Sequence, residues 1–255
     1  MTKVIPRHVI CALGKWRDLD EVDAIVRQKG FSGFELDREF SQLCPDDRMM
    51  DSFDASYDRV SPSMSQKDWN AVRTHGSVAY VLSPPIRKDH AADISGRALL
   101  LTAALLRGGA VAAKGEGAGI AHGRARWLKL AEEYLQARKD GDTFTEGASL
   151  YGAWVRRPMI DDDEDTYYSC GMHLLGEPDV EIEASLDLAD AIEWMDLLGL
   201  YLVGDRPTRK LKDGEGFRLK DEGPRRVMRF RPCERYEEDE FLFNPYGYIR
   251  LEPDA

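Results

Sequence analysis

Nowhere does the chain carry an apolar run of membrane-spanning length. Its most apolar segment, Ala98 to Leu106, is nine residues, where roughly 20 are needed to cross a bilayer, so no membrane partner is expected. The opening Met-Thr-Lys-Val-Ile-Pro-Arg-His has no apolar stretch of signal-peptide length, and the expected location is the cytoplasm. Cysteine is scarce: Cys11, Cys44, Cys170 and Cys233 in 255 residues do not form a disulfide framework, and reduced thiols are expected. Cations are in deficit, 35 Lys and Arg against 46 Asp and Glu, for a net charge of −11. Phosphate binding draws on clustered Lys and Arg, which excludes nucleic acid as an expected ligand. Neither a Gly-x-Ser-x-Gly elbow nor a His-Glu-x-x-His pair occurs, so two common hydrolytic signatures are missing.

What is present is a concentrated acidic block. Met159 to Asp205 holds fourteen Asp and Glu and no Lys or Arg. Five of them, Asp161, Asp162, Asp163, Glu164 and Asp165, are consecutive, and a helix pattern from Leu186 to Val203 follows with Asp187, Asp190, Glu193 and Asp196 on its flank. Residues 206 to 235 then carry eleven Lys and Arg against five acids and can neutralise part of the block internally, each exposed pair contributing only about 0–1 kcal/mol. A hairpin tip of five carboxylates is harder to absorb. It predicts a basic protein partner, steered by charge and anchored by aromatics near the tip, with Trp154, Tyr167 and Tyr168 as the candidates.

A content of 43% hydrophobic and 32% charged residues predicts a globular protein. Residues 4–13 read as a strand, and Leu19, Val22, Ile25 and Val26 give a helix ended by Gly30. A short strand at Phe31 to Leu36 precedes a surface excursion over 38–75, with a short helix near Gln66 to Val72. A strand at Ser77–Leu82, a helix from His90 to Arg107 with Asp89 as its cap, and a strand at Ala110–Ala113 complete the pattern. The order β-α-β, excursion, β-α-β suits a ferredoxin-like split β-α-β sheet with helices on one face. Lys139-Asp-Gly-Asp142 is the expected boundary between a first unit, 1–140, and a second, 141–255. The second reads as an antiparallel α+β unit: strands at Ser149–Val155 and Thr166–Leu174 around the acidic loop, a strand at Val180–Ile182, the Leu186–Val203 helix and basic strands after it. The expected fold class is therefore α+β throughout.

Cys170-Gly-Met-His-Leu-Leu-Gly-Glu-Pro-Asp-Val-Glu-Ile and Leu211-Lys-Asp-Gly-Glu-Gly-Phe together resemble a family of bacterial domains of unknown function. The matching positions are Gly171, Met172, Gly176, Pro178, Asp213, Gly214 and Glu215. Asp179 stands where that family usually has Glu, and Gly216-Phe217 replaces its usual Thr-Ile-Gly. Some members are encoded beside secreted antibacterial toxins, so the resemblance implies an immunity protein that neutralises a cognate basic toxin, with no catalytic residues to carry over.

The alternative is a small-molecule or nucleotide-binding enzyme using Gly115-Glu-Gly-Ala-Gly119 with His122 and Arg124. A glycine loop between a strand and a helix can cradle phosphate, but this one lacks the Gly-Lys-Ser/Thr of a P-loop, and Glu116 would repel an anion. A tight turn is the plainer reading. His8-x-x-Cys11 and Cys170-x-x-His173 supply a zinc-like ligand set, yet residues three apart on a strand face opposite sides. The five acids of the tip lack the alternating spacing of a calcium loop. No metal and no cofactor is expected.

Overall fold

The computed structural model describes residues 5–57, 60–161 and 163–254. The fold is α+β and built on two sheets. In the first, β1 (Val9–Gly14), β2 (Glu35–Gln42), β3 (Ser77–Leu82), β4 (Ala112–Gly115) and β5 (Ile120–His122) lie in the order β2-β3-β1-β4-β5, every pair antiparallel. The first four strands follow the split β-α-β order, with β5 added at one edge.

Helices cover both faces of this sheet, not one. All six residues of β1 are buried, which requires two covered faces. Ile10 and Ala12 point toward α1 (Leu19–Val26) and α4 (Ala91–Arg107), whereas Cys11 and Leu13 point toward α2 (Met49–Tyr57) and α3 (Gln66–Arg73). Of the 38–75 segment, residues 38–42 extend β2 and the rest supplies a second helical layer, of which only α3 was readable. In α2, Met49 and Phe53 are the residues that reach the core, too few to give a periodic signal. Lys114, 5% exposed, fastens this layer by donating to Ser52 Oγ and O and by pairing with Glu116 at 2.9 Å.

α5 (Arg124–Asp140) ends at Gly141, and α6 (Thr143–Trp154) starts at once, capped by the Asp142 side chain on the Thr145 N–H at 3.0 Å. The polar break at 139–142 is this turn between two packed helices. Residues 149–154, read above as a strand, belong to α6, because Gly147, Leu150, Tyr151 and Trp154 fall at i, i+3, i+4 and i+7 and are all buried.

The second sheet takes β6 (Arg156–Asp161), β7 (Thr166–Cys170), β8 (Asp179–Glu183), β9 (Gly216–Arg218), β10 (Arg225–Arg231) and β11 (Tyr248–Pro253) in the order β6-β7-β8-β11-β10-β9. It is antiparallel except for one parallel pair, β8 with β11. α7 (Leu188–Leu200) packs on one face and continues into a π-helical turn, Tyr201–Asp205. The other face is covered by the chain after β10, where Tyr236 and Leu242 close over Tyr168, Cys170 and Tyr248. One apolar cluster runs from Ile10 and Val81 through Trp127 and Trp154 to Ile182 and Ile249, so the two sheets share a core. Among the described residues no helix is long and apolar enough to cross a membrane.

Candidate functional site

The acidic loop does sit at the turn of a hairpin, with Ile160 opposite Tyr167 and Asp161 opposite Thr166. Its carboxylates have unequal fates. Asp161 is folded back into the molecule, where its side chain accepts from the N–H groups of Asp163 (3.2 Å) and Glu164 (3.3 Å) and from Arg235 Nε (2.5 Å). Burial pushes its pKa up, but the Arg235 and backbone hydrogen bonds outweigh it and the net shift is downward. Glu164 reaches Arg250 of β11 at 3.3 Å. Asp163 and Asp165 remain exposed, with no ion pair among the described residues. Asp162 lies outside the described residues.

The flank of α7 divides in the same way. Asp187 caps the helix through the Ala189 N–H at 2.9 Å, and Asp190 and Glu193 are exposed without a cation among the described residues. Asp196 is taken by Arg157 and by the Tyr151 hydroxyl at 3.2 Å. Elsewhere in the block Glu177 pairs with Lys88, Glu181 with Arg235 and Glu183 with Arg226. Asp179 is fully buried, accepting from Ser169 Oγ (2.8 Å), Met172 N (3.2 Å) and Asn244 Nδ2 (2.7 Å), and burial raises its carboxyl to about 7 against those bonds. Among the described residues, the uncompensated charge of the block is therefore Asp163 and Asp165 at the tip, Asp187, Asp190 and Glu193 on α7, and Asp205 beyond it.

The expected aromatic anchors are placed differently. Trp154 is 1% exposed at the end of α6, its indole N–H donating to the Ser95 carbonyl at 3.1 Å and its ring 4.3 Å from His8 and 5.2 Å from Trp127. It is a core residue and no docking anchor. Tyr168 is 5% exposed, with the Arg235 guanidinium 4.1 Å above its ring and its hydroxyl 2.9 Å from that of Tyr236. Tyr167 is half-buried. The exposed apolar groups near the tip are instead Ile160 (46%) and Leu188 (49%). An isoleucine beside a carboxylate run and a leucine one residue past a helix cap were the signals available in the sequence.

Ile120, His122, Arg126, Val155, Arg157, Ile160, Tyr167, Leu188, Ile192 and Asp196 are among the residues that line a groove of about 540 Å³. His122 is 3% exposed, its Nε2 3.2 Å from the Ala153 carbonyl and its Nδ1 without a hydrogen-bond partner. Burial lowers its pKa to about 3, and Arg126 and Arg157 add to the lowering, so the ring is neutral at pH 7. The Arg126 Nε is likewise buried without a partner.

The Gly115–Gly119 loop leads into strand β5, not into a helix, so no row of helical N–H groups points at it. Its intended basic partner, Arg124, donates instead to the carbonyls of Leu106 and Ala110. The His-Cys pairs also part company. Cys11 packs against Met49 on the second face of the first sheet, Cys170 lies under Tyr168 and Tyr248, and His8 donates to Ser95 Oγ at 2.8 Å, since that hydroxyl is itself given to the Leu174 carbonyl. The turn residues that carried the family resemblance have structural roles. Gly171 holds φ +121°, a Cβ there would sit 2.1 Å from the Trp154 carbonyl oxygen, and Asp213 accepts from the Phe230 N–H at 3.0 Å. Comparison with family models, with characterised proteins and with solved structures finds no match.

Proposed function

We propose that this chain is a cytoplasmic binding protein without a reaction of its own, which takes a positively charged protein on the outer surface formed by the β6–β7 tip and the start of α7. The observation that carries this reading is one arrangement. Asp163, Asp165, Asp187, Asp190 and Glu193 are exposed and have no cation partner among the described residues, and half-exposed Ile160 of β6 and Leu188 of α7 line one groove. Carboxylates of that kind speed and orient the approach of a cationic surface. Apolar side chains such as these two supply the area that holds it. A cognate toxin domain is the partner class implied by the resemblance of 170–182 and 211–217 to domains encoded beside toxin genes.

The test is affinity capture from a lysate of the source cells at low and at high salt, comparing the natural chain with one carrying Asp163→Asn, Asp165→Asn, Asp190→Asn and Glu193→Gln. A basic protein held by the natural chain, released by salt and not retained by the variant, is the expected result. Equal retention by both chains at both salt concentrations would remove the proposal.

A further inference from the structure

We infer that the groove beneath the hairpin is a binding site for a small organic carboxylate with an apolar body, its charged end seated on Arg126. Arg126 stands on the first turn of α5, and its Nε is buried without a hydrogen-bond partner. No carboxylate among the described residues pairs with its guanidinium. Guanidinium does not shed its proton in a protein, so this donor set is left asking for an acceptor. His122, 3% exposed, lines the same groove, and because its Nε2 donates to the Ala153 carbonyl its Nδ1 is an acceptor, so Arg126 is the donor left for an anion.

Charge selects the ligand's sign. The charged side chains lining the groove are Arg126, Arg157 and Asp196, and the last two neutralise each other in their ion pair. Among the described residues one positive charge is left over, inside a chain whose net charge is −11. Shape and polarity select the rest of the ligand. Ile120, Val155, Ile160, Tyr167, Leu188 and Ile192 make most of the remaining wall, and about 540 Å³ accommodates a small organic molecule. An inorganic anion would leave those walls unfilled, whereas a neutral apolar molecule would leave Arg126 unpaired. A carboxylate on a hydrocarbon or aromatic body satisfies both, with the paired hydrogen bonds that guanidinium and carboxylate form. This groove shares Ile160 and Leu188 with the surface proposed to dock a protein but none of its exposed carboxylates, so Arg126→Gln tests the groove and the carboxylate substitutions test the docking surface separately.

The experiment is calorimetric titration of the full chain with octanoate and 4-phenylbutyrate, with their primary amides, and with inorganic phosphate. At least one carboxylate is expected to bind tenfold or more tightly than its amide, and phosphate is expected not to compete with it. Arg126→Gln, at a partly exposed position, should lower carboxylate affinity at least tenfold and leave the amide unchanged. Ile192→Trp, which fills the groove, should abolish both, and thermal unfolding of each variant establishes that it is folded. Binding should also shift the ring resonances of His122. Equal affinity for acid and amide overturns the inference. So does undiminished carboxylate binding by Arg126→Gln, or the absence of any carboxylate binding at millimolar concentration.

Discussion

Arg235 Nε donates to Asp161 across 2.5 Å and 74 residues of chain, drawing the first carboxylate of the acidic tip into the fold. The same guanidinium donates to Glu181 at 3.1 Å and lies over the rings of Tyr168 and Tyr248. With Arg226 on Glu183, it is where the basic segment neutralises the acidic one.

Arg235→Ala should therefore be severe. It strands Glu181, whose side chain is 4% exposed, together with Asp161 at 17%, and removing one partner from a buried pair costs about 3–5 kcal/mol. Urea unfolding measures it. Arg235→Lys keeps the charge but cannot reach both carboxylates in one plane, so it should fall between the two.

Stability should depend on pH with opposing contributions. Burial lowers His8 to about 3, His122 to about 3 and His173 to about 4 from 6.5, so the folded chain refuses three protons that the unfolded chain binds, and their stabilisation is lost as pH falls below 6.5. Asp179 runs the other way. Raised from 3.8 to about 7, it is protonated in the folded chain and ionised in the unfolded one between those values, so its contribution is full below 3.8 and lost as pH rises to 7. Around pH 5, these four groups together should bind about two more protons in the unfolded chain than in the folded one, contributing a slope near 2.7 kcal/mol per pH unit with stability rising as pH rises. Urea midpoints between pH 4.5 and 6 measure the slope.

Asp179→Asn should steepen the same curve by close to one proton, because the opposing contribution of Asp179 is removed. It should also destabilise at every pH. Oδ2 of Asp179 receives Asn244 Nδ2, and Asn244 is held in its orientation by donating to the Glu177 carbonyl and accepting from the Tyr246 N–H, so an amide nitrogen placed there would face another donor.

Trp154→Phe removes the indole N–H bond to the Ser95 carbonyl, which keeps only its place in the α4 ladder, and leaves space in the core where the larger ring stood. A loss of roughly 1–3 kcal/mol is expected, while Trp154→Ala should cost about 3–5 kcal/mol. Neither should alter association with a protein partner at 163–193, beyond the loss of folded chain. A change in association rate with stability held equal, read by stopped flow, would return Trp154 to the docking surface.

Gly171→Ala must place a Cβ 2.1 Å from the Trp154 carbonyl oxygen at a φ of +121°. Destabilisation of at least ~3 kcal/mol is expected, read as a fall in the denaturant midpoint.

The α+β class and the strand order of the first sheet were legible because β1, β3 and α4 are strongly patterned. Two helices were not, for different reasons. α2 offers too few core residues to show a period. α6 ends in Tyr151, Trp154 and Val155, residue types enriched in strands, and its helical state comes from the Asp142 cap and from the i, i+3, i+4, i+7 placement of its buried face. That misreading carried Trp154 from the core to the surface. Arg126 went unnoticed for a geometric reason. Two residues along a helix turn about 200°, so Arg124 meets the carbonyls at the end of α4 while Arg126 faces the groove. The acidic block was plain, but its division into paired and unpaired carboxylates depends on guanidinium groups brought from residues up to 86 positions away.

β11 lies between β8 and β10 and pairs in parallel with the former, Tyr248 beside Asp179. The hairpin of β9 and β10 therefore reaches the rest of its sheet only through that last strand. Shortening the polypeptide before Tyr248 would leave two ribbons with raw hydrogen-bonding edges, an invitation to intermolecular strand pairing. Because that pairing joins segments 69 residues apart, it closes a long loop, and the second sheet cannot be completed from local hairpins alone.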